Sequence, residues 1–204
     1  MKKIALIFIT IILNLITFSN DGNNSNNYYS YRIGGGLTYV TETTISGKNV
    51  STVPNAKIEF DHAWNIVSGK NLGFIITSGG LLELDIKSIT SGKFETDFYS
   101  LSYVIPQLKV NAGNNISIRQ GLKLLIGNVL QIRQKEYIIS GESKSKFEFG
   151  NALAVGTEYV LGLDYKAFTT NIELGVRGIL ERNKIGELKL KPIGTVSASI
   201  GVKF

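Results

Sequence analysis

Residues 56–64 read AKIEFDHAW, and the rest of the sequence repeats the pattern of this stretch. Apolar and aromatic side chains fall on one parity: Ala56, Ile58, Phe60, His62 and Trp64. The other parity carries Lys57, Glu59, Asp61 and Ala63. Successive residues of a strand point to opposite sides, so a period of two predicts a β-strand with one apolar face and one charged face.

The same period of two recurs in seven further runs, at residues 31–41, 72–86, 94–105, 116–130, 149–161, 168–180 and 194–204. Runs of about ten residues suit a tilted strand that crosses a bilayer, whereas strands of water-soluble sheets commonly have about five or six residues. The sequence therefore predicts an all-β chain, an eight-stranded antiparallel up-and-down transmembrane β-barrel after a cleaved signal peptide. A soluble exported barrel stays open, because alternation alone does not say what covers the apolar face.

Residues 1–19 are predicted to be a signal peptide. Lys2 and Lys3 precede an apolar run over residues 4–16, and Ser19 is a small residue at a position that a signal peptidase reads. An N-terminal membrane helix is the alternative, but the charge-free stretch is short for the roughly 20 apolar residues that a bilayer requires. Residues 20–27 are predicted to be a polar spacer, and residues 28–204 the outer-membrane barrel.

The composition excludes several kinds of site. The 204 residues contain no Cys, one His and one Met, which excludes a disulfide framework, a cysteine nucleophile and a histidine-based metal cluster. No cofactor and no metal are expected. The formal net charge of +6 falls to +4 when Lys2 and Lys3 leave with the signal peptide. This modest excess gives no reason to expect a nucleic-acid partner.

The connections between the runs alternate in length. Residues 68–71, 107–115 and 162–166 are mostly short connections, and residues 43–55, 87–93, 131–146 and 181–191 are mostly longer and basic. Residues 131–146 alone hold four basic and two acidic side chains, a net charge of +2. Short periplasmic turns and long outer loops are typical of outer-membrane barrels.

From residue 28 to its end the chain resembles the OmpA-like and OmpX-like membrane domains, which are small bacterial outer-membrane β-barrels. The resemblance lies in the pattern of runs, except at the last run, which looks like the family's signal for barrel insertion: Val196, Ala198, Ile200, Val202 and Phe204. It implies localisation in the outer membrane of a Gram-negative envelope and recognition by the barrel-assembly machinery. Outer-membrane lipid and lipopolysaccharide are then partners of a monomeric barrel.

Charged residues within the runs are predicted to point into the barrel. They form a lumen charge network of Arg32, Lys57, Glu59, Asp61, Arg119, Lys123, Glu158, Glu173 and Arg177, with Lys203 on the same face. Glycines on that face are expected to leave room for the long basic side chains: Gly34, Gly36, Gly150 and Gly156. An eight-stranded barrel is just wide enough for its side chains to fill, and opposite charges there should pair. A plug is favoured over a narrow porin-like channel or a carrier for small solutes or apolar molecules.

Aromatic residues of the apolar face are predicted to form an interfacial girdle of Tyr31, Phe60, His62, Trp64, Tyr103 and Tyr159. In the run of residues 94–105, this interpretation makes Tyr103 and the residues on the same face of the strand contact lipid. The alternation in the upper half of that run is ambiguous. Outer-membrane enzymes that modify lipid acyl chains pair a His with a Ser or an acidic residue. His62 is the one imidazole, and its place beside Phe60 and Trp64 favours the girdle over catalysis.

These expectations describe a structural or surface-interaction protein without catalytic residues. Its basic outer loops are expected to meet the phosphates of lipopolysaccharide. A host surface ligand is the alternative partner of these loops. A lipid acyl-modifying enzyme is the third functional hypothesis.

Overall fold

Eight β-strands make up most of the chain that the computed structural model describes, which is residues 27–44, 47–88, 94–113, 115–139, 142–182 and 187–204. The strands are β1 (Tyr28–Thr44), β2 (Gly47–Ser68), β3 (Leu72–Ser88), β4 (Glu95–Asn111), β5 (Ile116–Ile139), β6 (Glu142–Tyr165), β7 (Phe168–Arg182) and β8 (Leu188–Lys203). The expected signal peptide and residues 20–26 of the expected spacer lie outside the described residues. None of the described residues forms a helix able to span a bilayer.

Each strand pairs antiparallel with its neighbours in the chain, and β8 pairs with β1, so the sheet closes on itself. The prediction of an eight-stranded antiparallel up-and-down barrel is therefore confirmed. The end where β1 begins and β8 ends is called the terminal end here. There the backbones of Tyr29 and Phe204 bond to each other with N to O distances of 2.9 and 3.0 Å. The opposite end is called the ribbon end.

The period of two places charged side chains inside the barrel and apolar side chains outside it. On β2, Lys57 and Glu59 point inward and are 3% and 0% exposed. On the same strand, Ile58 and Phe60 point outward and are 38% and 48% exposed. Because water-soluble proteins rarely expose a large apolar patch, this outer surface is suited to apolar surroundings.

Strand β4 departs from the predicted faces. Leu101, Tyr103 and Ile105 point into the barrel, whereas Val104 is on the outer face. The assignment of Tyr103 to the interfacial girdle is therefore wrong. Hydropathy does not orient β4, because both of its faces carry apolar and hydroxyl side chains. The Tyr103 hydroxyl orients it instead, since this group donates a hydrogen bond to Asp61 in the lumen.

The connections at the terminal end are short, and only residues 69–71, 112–115 and 166–167 separate the strands there. The expectation of long loops at the ribbon end is wrong for most of the described residues. Residues 47–55 belong to β2, and residues 131–139 and 142–146 belong to β5 and β6. Cross-strand hydrogen bonds continue through these segments and satisfy backbone groups that a loop would leave to water.

Strands β5 and β6 rise above their neighbours as a two-stranded ribbon, residues 134–139 paired with residues 142–147. The last β5 residue paired with β4 is Arg133, and the first β6 residue paired with β7 is Ala152. At its base Gln134 N donates to the backbone oxygen of Phe94 over 2.8 Å, and no other described strand pairs with the ribbon. The ribbon therefore replaces the longest of the expected basic loops.

Glycine is required where β1 and β8 close the barrel. A Cβ atom on Gly34 or Gly36 would lie 2.1 or 2.0 Å from a carbonyl oxygen of β8. These two glycines therefore make room for backbone rather than for a basic side chain. Gly150 lies against the side chain of Gln131, and only Gly156 of the four expected glycines lies against an arginine, Arg177.

Candidate functional site

The candidate site is the charged lumen. Every residue predicted for the charge network lies on the inner face and is buried: Arg32, Lys57, Glu59, Asp61, Arg119, Lys123, Glu158, Glu173 and Arg177. The structure adds four buried carboxylates, Glu83, Asp85, Asp97 and Asp164. The alternation of residues 72–86 already contained Glu83 and Asp85. Asp97 was missed because β4 was oriented wrongly, and Asp164 lies beyond the run of residues 149–161.

The level nearest the terminal end is built on Arg119 of β5 and Asp164 of β6. They form a bidentate ion pair, with Nε to Oδ2 at 3.0 Å and Nη2 to Oδ1 at 2.9 Å. Arg119 also donates to the amide oxygens of Gln107 and Asn171, at 3.3 and 3.1 Å. Lys203 Nζ lies 3.1 Å from Asp164 Oδ2. Asp164 therefore pairs with two cations, the buried Arg119 and the partly exposed Lys203.

The next level is built around Asp61. Ser30 Oγ and Tyr103 OH donate to its two carboxylate oxygens over 2.6 and 2.8 Å. Arg32 Nη2 also donates to Asp61, and Arg32 Nε donates to Glu59 over 3.0 Å. Hydrogen bonds between charged groups are about twice as strong as neutral ones. Asp61 thus accepts from two hydroxyl groups and from Arg32, a cation that it shares with Glu59.

The central level is a ring of two lysines and two glutamates. Lys57 Nζ lies 2.5 Å from Glu173 and 3.6 Å from Glu59. Lys123 Nζ lies 2.6 Å from Glu59 and 2.9 Å from Glu173. These side chains start on β2, β5 and β7, which are not neighbours in the wall. Their ion pairs therefore cross the lumen.

A second crossing lies closer to the ribbon end. Arg177 of β7 donates to both carboxylate oxygens of Glu83 on β3, over 2.6 and 3.0 Å. It also donates to Glu158 over 2.7 Å. The guanidinium lies 5.6 Å from the ring centre of Tyr99. Because β3 and β7 lie on opposite sides of the closed sheet, this ion pair spans the barrel.

Asp85 lies beside this level and has different partners. Thr38 Oγ1 and Tyr99 OH donate to its two oxygens over 2.9 and 3.1 Å. Within the described part of the chain, no basic side chain forms an ion pair with it. Asp97, the residue opposite Asp85 on β4, lies 2.5 Å from Lys87 and 2.8 Å from Arg133. Asp97 therefore pairs with two cations, whereas the adjacent Asp85 pairs with none among the described residues.

His62 lies outside the lumen, on the outer face near the terminal end. Its ring stacks on Tyr29 with a centroid distance of 4.4 Å and packs against Trp64 at 4.3 Å. Among the described residues, no group of three or more His, Cys, Asp or Glu side chains could hold a metal ion. The imidazole is thus separated from the carboxylates of the lumen by the barrel wall.

Apart from Tyr103, the other residues predicted for the girdle also lie on the outer face. Tyr31 and Phe60 pack together at 4.7 Å between ring centres. Tyr159 is 47% exposed, and its hydroxyl donates to Gln120. Sequence reasoning missed Tyr29, which precedes the first run and completes the stack around the imidazole. The aromatic residues therefore form pairs and stacks rather than isolated rings.

The last strand shows the alternation predicted for it. Its outward residues are Val196, Ala198, Ile200 and Val202, followed by Phe204. Thr195, Ser197 and Ser199 point inward and are buried. Phe204 is 75% exposed, and its ring centre lies 6.1 Å from that of Tyr29.

No protein-family model and no curated protein matches the sequence. Among solved structures, the chain is similar to Ail, the attachment invasion locus protein of Yersinia pestis, in complex with the heparin analogue sucrose octasulfate. The TM-score is 0.36 at 15% identity, over 87% of this chain and 99% of Ail. Neisserial surface protein A gives 0.39 at 12% identity, over 90% and 100% of the two chains. The N-terminal β-barrel domain of Pseudomonas aeruginosa OprF gives 0.31 at 9% identity, over 86% and 97%. Likenesses at these values assign no ligand to this chain.

Proposed function

We propose that the chain is a transmembrane barrel of the bacterial outer membrane, with a structural or surface-interaction role and a lumen closed by its own side chains. The observation that carries the proposal is that two levels of ion pairs cross the lumen between strands that are not neighbours. The apolar outer face supports a membrane setting. The short turns support an orientation with the terminal end in the periplasm and the ribbon end at the cell exterior.

Closure follows from the cost of separating these charges. A solute that passes the central ring must part Lys57 from Glu173, or Lys123 from Glu59, in a space without bulk water. Removing one partner of a buried ion pair commonly costs about 3–5 kcal/mol. A barrel of eight strands has no room for a parallel water path beside such a ring. The lumen is therefore a plug under this proposal, and it acts as the mechanical core of the barrel.

Single-channel recording of the refolded protein in planar bilayers tests the closed lumen. Wild type should show no stable unit conductance. The double variant Lys57→Ser with Glu173→Ser removes one lysine and one glutamate of the ring at unchanged net charge and should increase ion leak. For both proteins, unheated and boiled samples should migrate differently on a gel, which shows that a folded barrel was added. Stable openings of wild type would overturn the plug in favour of a channel.

The ribbon supports a surface role. Lys135 lies directly opposite Lys146, and Lys144 lies on the same side, the one that continues the inner face. Lys135 is paired with Glu148 at 2.6 Å, whereas Lys144 and Lys146 have no ion-pair partner among the described residues. Lipopolysaccharide phosphates, which surround a barrel in the outer leaflet, can supply one. The double variant Lys144→Gln with Lys146→Gln should weaken binding to lipopolysaccharide vesicles. Lys189→Gln with Lys191→Gln, the same charge change on β8, should weaken it less; equal effects would refute the assignment.

Phe204 is proposed to be part of the signal that the assembly machinery reads. Its deletion removes an exposed ring and two backbone hydrogen bonds to Tyr29, while the pairing of β1 with β8 from Lys203 onward remains, so it should cost little stability in the folded barrel. We predict that the truncated chain is exported but accumulates unassembled, while it refolds normally in detergent. Cell fractionation and the gel shift of unheated protein measure the two outcomes. Wild-type amounts of truncated protein in the outer membrane would contradict the prediction.

A further inference from the structure

The terminal end of the barrel opens into two adjoining cavities of about 380 and 390 Å³. They share the side chains of Lys109, Asn111 and Lys203. Asn111 Nδ2 donates to the backbone oxygens of Gly69 and Lys70 and so fastens the β2–β3 turn to β4. The mouth is thus a built space with a fixed rim, and it lies outside the plug.

Charge in this mouth is strongly unbalanced. The walls of the two cavities hold four lysines, Lys70, Lys109, Lys166 and Lys203, and one carboxylate, Asp164. That carboxylate already accepts two hydrogen bonds from Arg119 and lies 3.1 Å from Lys203. Within the described ranges, Lys109 has no ion-pair partner. The space is therefore electropositive, and its one internal anion is already neutralised.

Buried hydrogen-bond donors around the same level lack acceptors. The side-chain nitrogens of Gln107 and Asn171 and the hydroxyl of Tyr28 have no partner among the described residues. The orientation of the two amides follows from Arg119, because a guanidinium donates only and must face their oxygens. Gln107 and Asn171 are each 1% exposed. Of these three groups only the Tyr28 hydroxyl lies at the wall of a cavity, and it lacks an acceptor oxygen.

We propose that the mouth at the terminal end is a binding site for an oxyanion, either free phosphate or the phosphate or carboxylate of a larger molecule. Lys109 and Lys203 supply the charge, and the Tyr28 hydroxyl supplies a neutral donor at the cavity wall. Only the periplasmic origin of the ligand rests on the orientation proposed above. The site itself is a property of the folded barrel in any environment.

The test is an NMR titration of the refolded protein in zwitterionic detergent micelles at low salt. Three probes are added separately: inorganic phosphate, glycerol phosphate and acetate. Wild type should show saturable shifts at the backbone amides of Lys109, Asn111 and Lys203. The probe that binds tightest identifies the source, as free phosphate, a lipid-type phosphate or a carboxylate. Absence of saturation for all three probes would overturn the site.

Two variants separate a site from general attraction to a basic protein. Lys109→Gln should weaken binding about tenfold or more, the scale of one charge-assisted hydrogen bond. Lys189→Gln makes the same charge change on β8, away from the mouth, and should bind like wild type. Equal weakening in both would overturn the proposal. If Lys109→Gln does not refold, Tyr28→Phe replaces it, and unchanged affinity in that variant would overturn the role of the hydroxyl. Because the titration uses micelles, its result is independent of conductance and of localisation.

Discussion

Asp61 and Asp85 have matching hydroxyl partners but different charged ones. Each accepts one hydrogen bond from a β1 hydroxyl and one from a β4 tyrosine. Asp61 also accepts from Arg32, whereas near Asp85 the guanidinium of Arg177 is bonded to Glu83 and to a second glutamate. The lumen thus contains the same carboxylate site twice. At Asp61 the site includes a cation, and at Asp85 it includes none among the described residues.

The difference separates what hydroxyl groups do from what cations do in a buried charge network. Two hydroxyl donors satisfy carboxylate oxygens geometrically but do not cancel the charge. A cation cancels it, and both partners then depend on each other, because removal of either leaves a buried charge unpaired. We therefore expect the Asp61 level to stabilise the barrel and the Asp85 level to add little or to oppose folding.

The largest expected effect compares Asp61→Asn with Asp85→Asn. Asp61→Asn leaves Arg32 only Glu59, which two lysines already share, and should lower the free energy of unfolding by about 3 kcal/mol. Asp85→Asn removes a charge without a cation and should change the same quantity by less than about 1 kcal/mol, or raise it. Denaturant unfolding of both variants in one detergent measures the difference. Equal losses would show that the hydroxyl donors, and not Arg32, determine the stability of these sites.

A second variant, Glu173→Gln, asks whether cation pairing alone explains the contrast. Glu173 lies close to Lys57 and Lys123, which retain Glu59 after the substitution. The free energy of unfolding should fall by about 2 kcal/mol, less than for Asp61→Asn, because Lys123 keeps Glu158 as well as Glu59. Glu136→Gln on the exposed ribbon is the matched control and should stay within about 0.5 kcal/mol of wild type. A Glu173→Gln variant as stable as this control would mean that water reaches the central ring.

The smallest expected effect concerns an ion pair that water reaches. Lys135 Nζ lies 2.6 Å from Glu148, with side chains 59% and 48% exposed. Lys135→Gln should change the free energy of unfolding by less than about 0.5 kcal/mol. Repeating the unfolding series at high salt should abolish even this difference, since salt screens exposed charges. A loss comparable to that of Asp61→Asn would mean that burial is not what separates strong pairs from weak ones here.

The predictability of each strand depended on how different its two faces are. On β2 a row of charged residues opposes a row of aromatic and aliphatic ones, so both the strand and its orientation followed from the sequence. On β4 the hydroxyl groups of Ser100 and Ser102 face outward and the aromatic Tyr99 and Tyr103 face the lumen. A hydropathy scale predicts that the tyrosines face lipid and the serines face the lumen. It takes no account of the lumen carboxylates that accept hydrogen bonds from the tyrosine hydroxyls.

The ribbon was missed for a related reason. Polar and basic composition at residues 131–146 is typical of a loop, yet these residues pair from Gln131 opposite Gly150 to Ile139 opposite Glu142. Backbone hydrogen bonds do not depend on hydropathy, and two antiparallel strands can continue to pair after both leave the wall. Composition alone therefore could not say where β5 and β6 end.

By itself, the sequence determined that the chain alternates in eight runs, that one face of most runs is charged, and that cysteine and histidine chemistry is nearly absent. These properties are local, because the parity of a residue within its own strand decides them. Only the tertiary structure decided which charges meet. Asp61 and Asp85 have similar sequence neighbours, but the register between strands places Arg32 beside Asp61 and directs Arg177 away from Asp85. Register and closure are properties of the whole sheet, so no single run of sequence contains them.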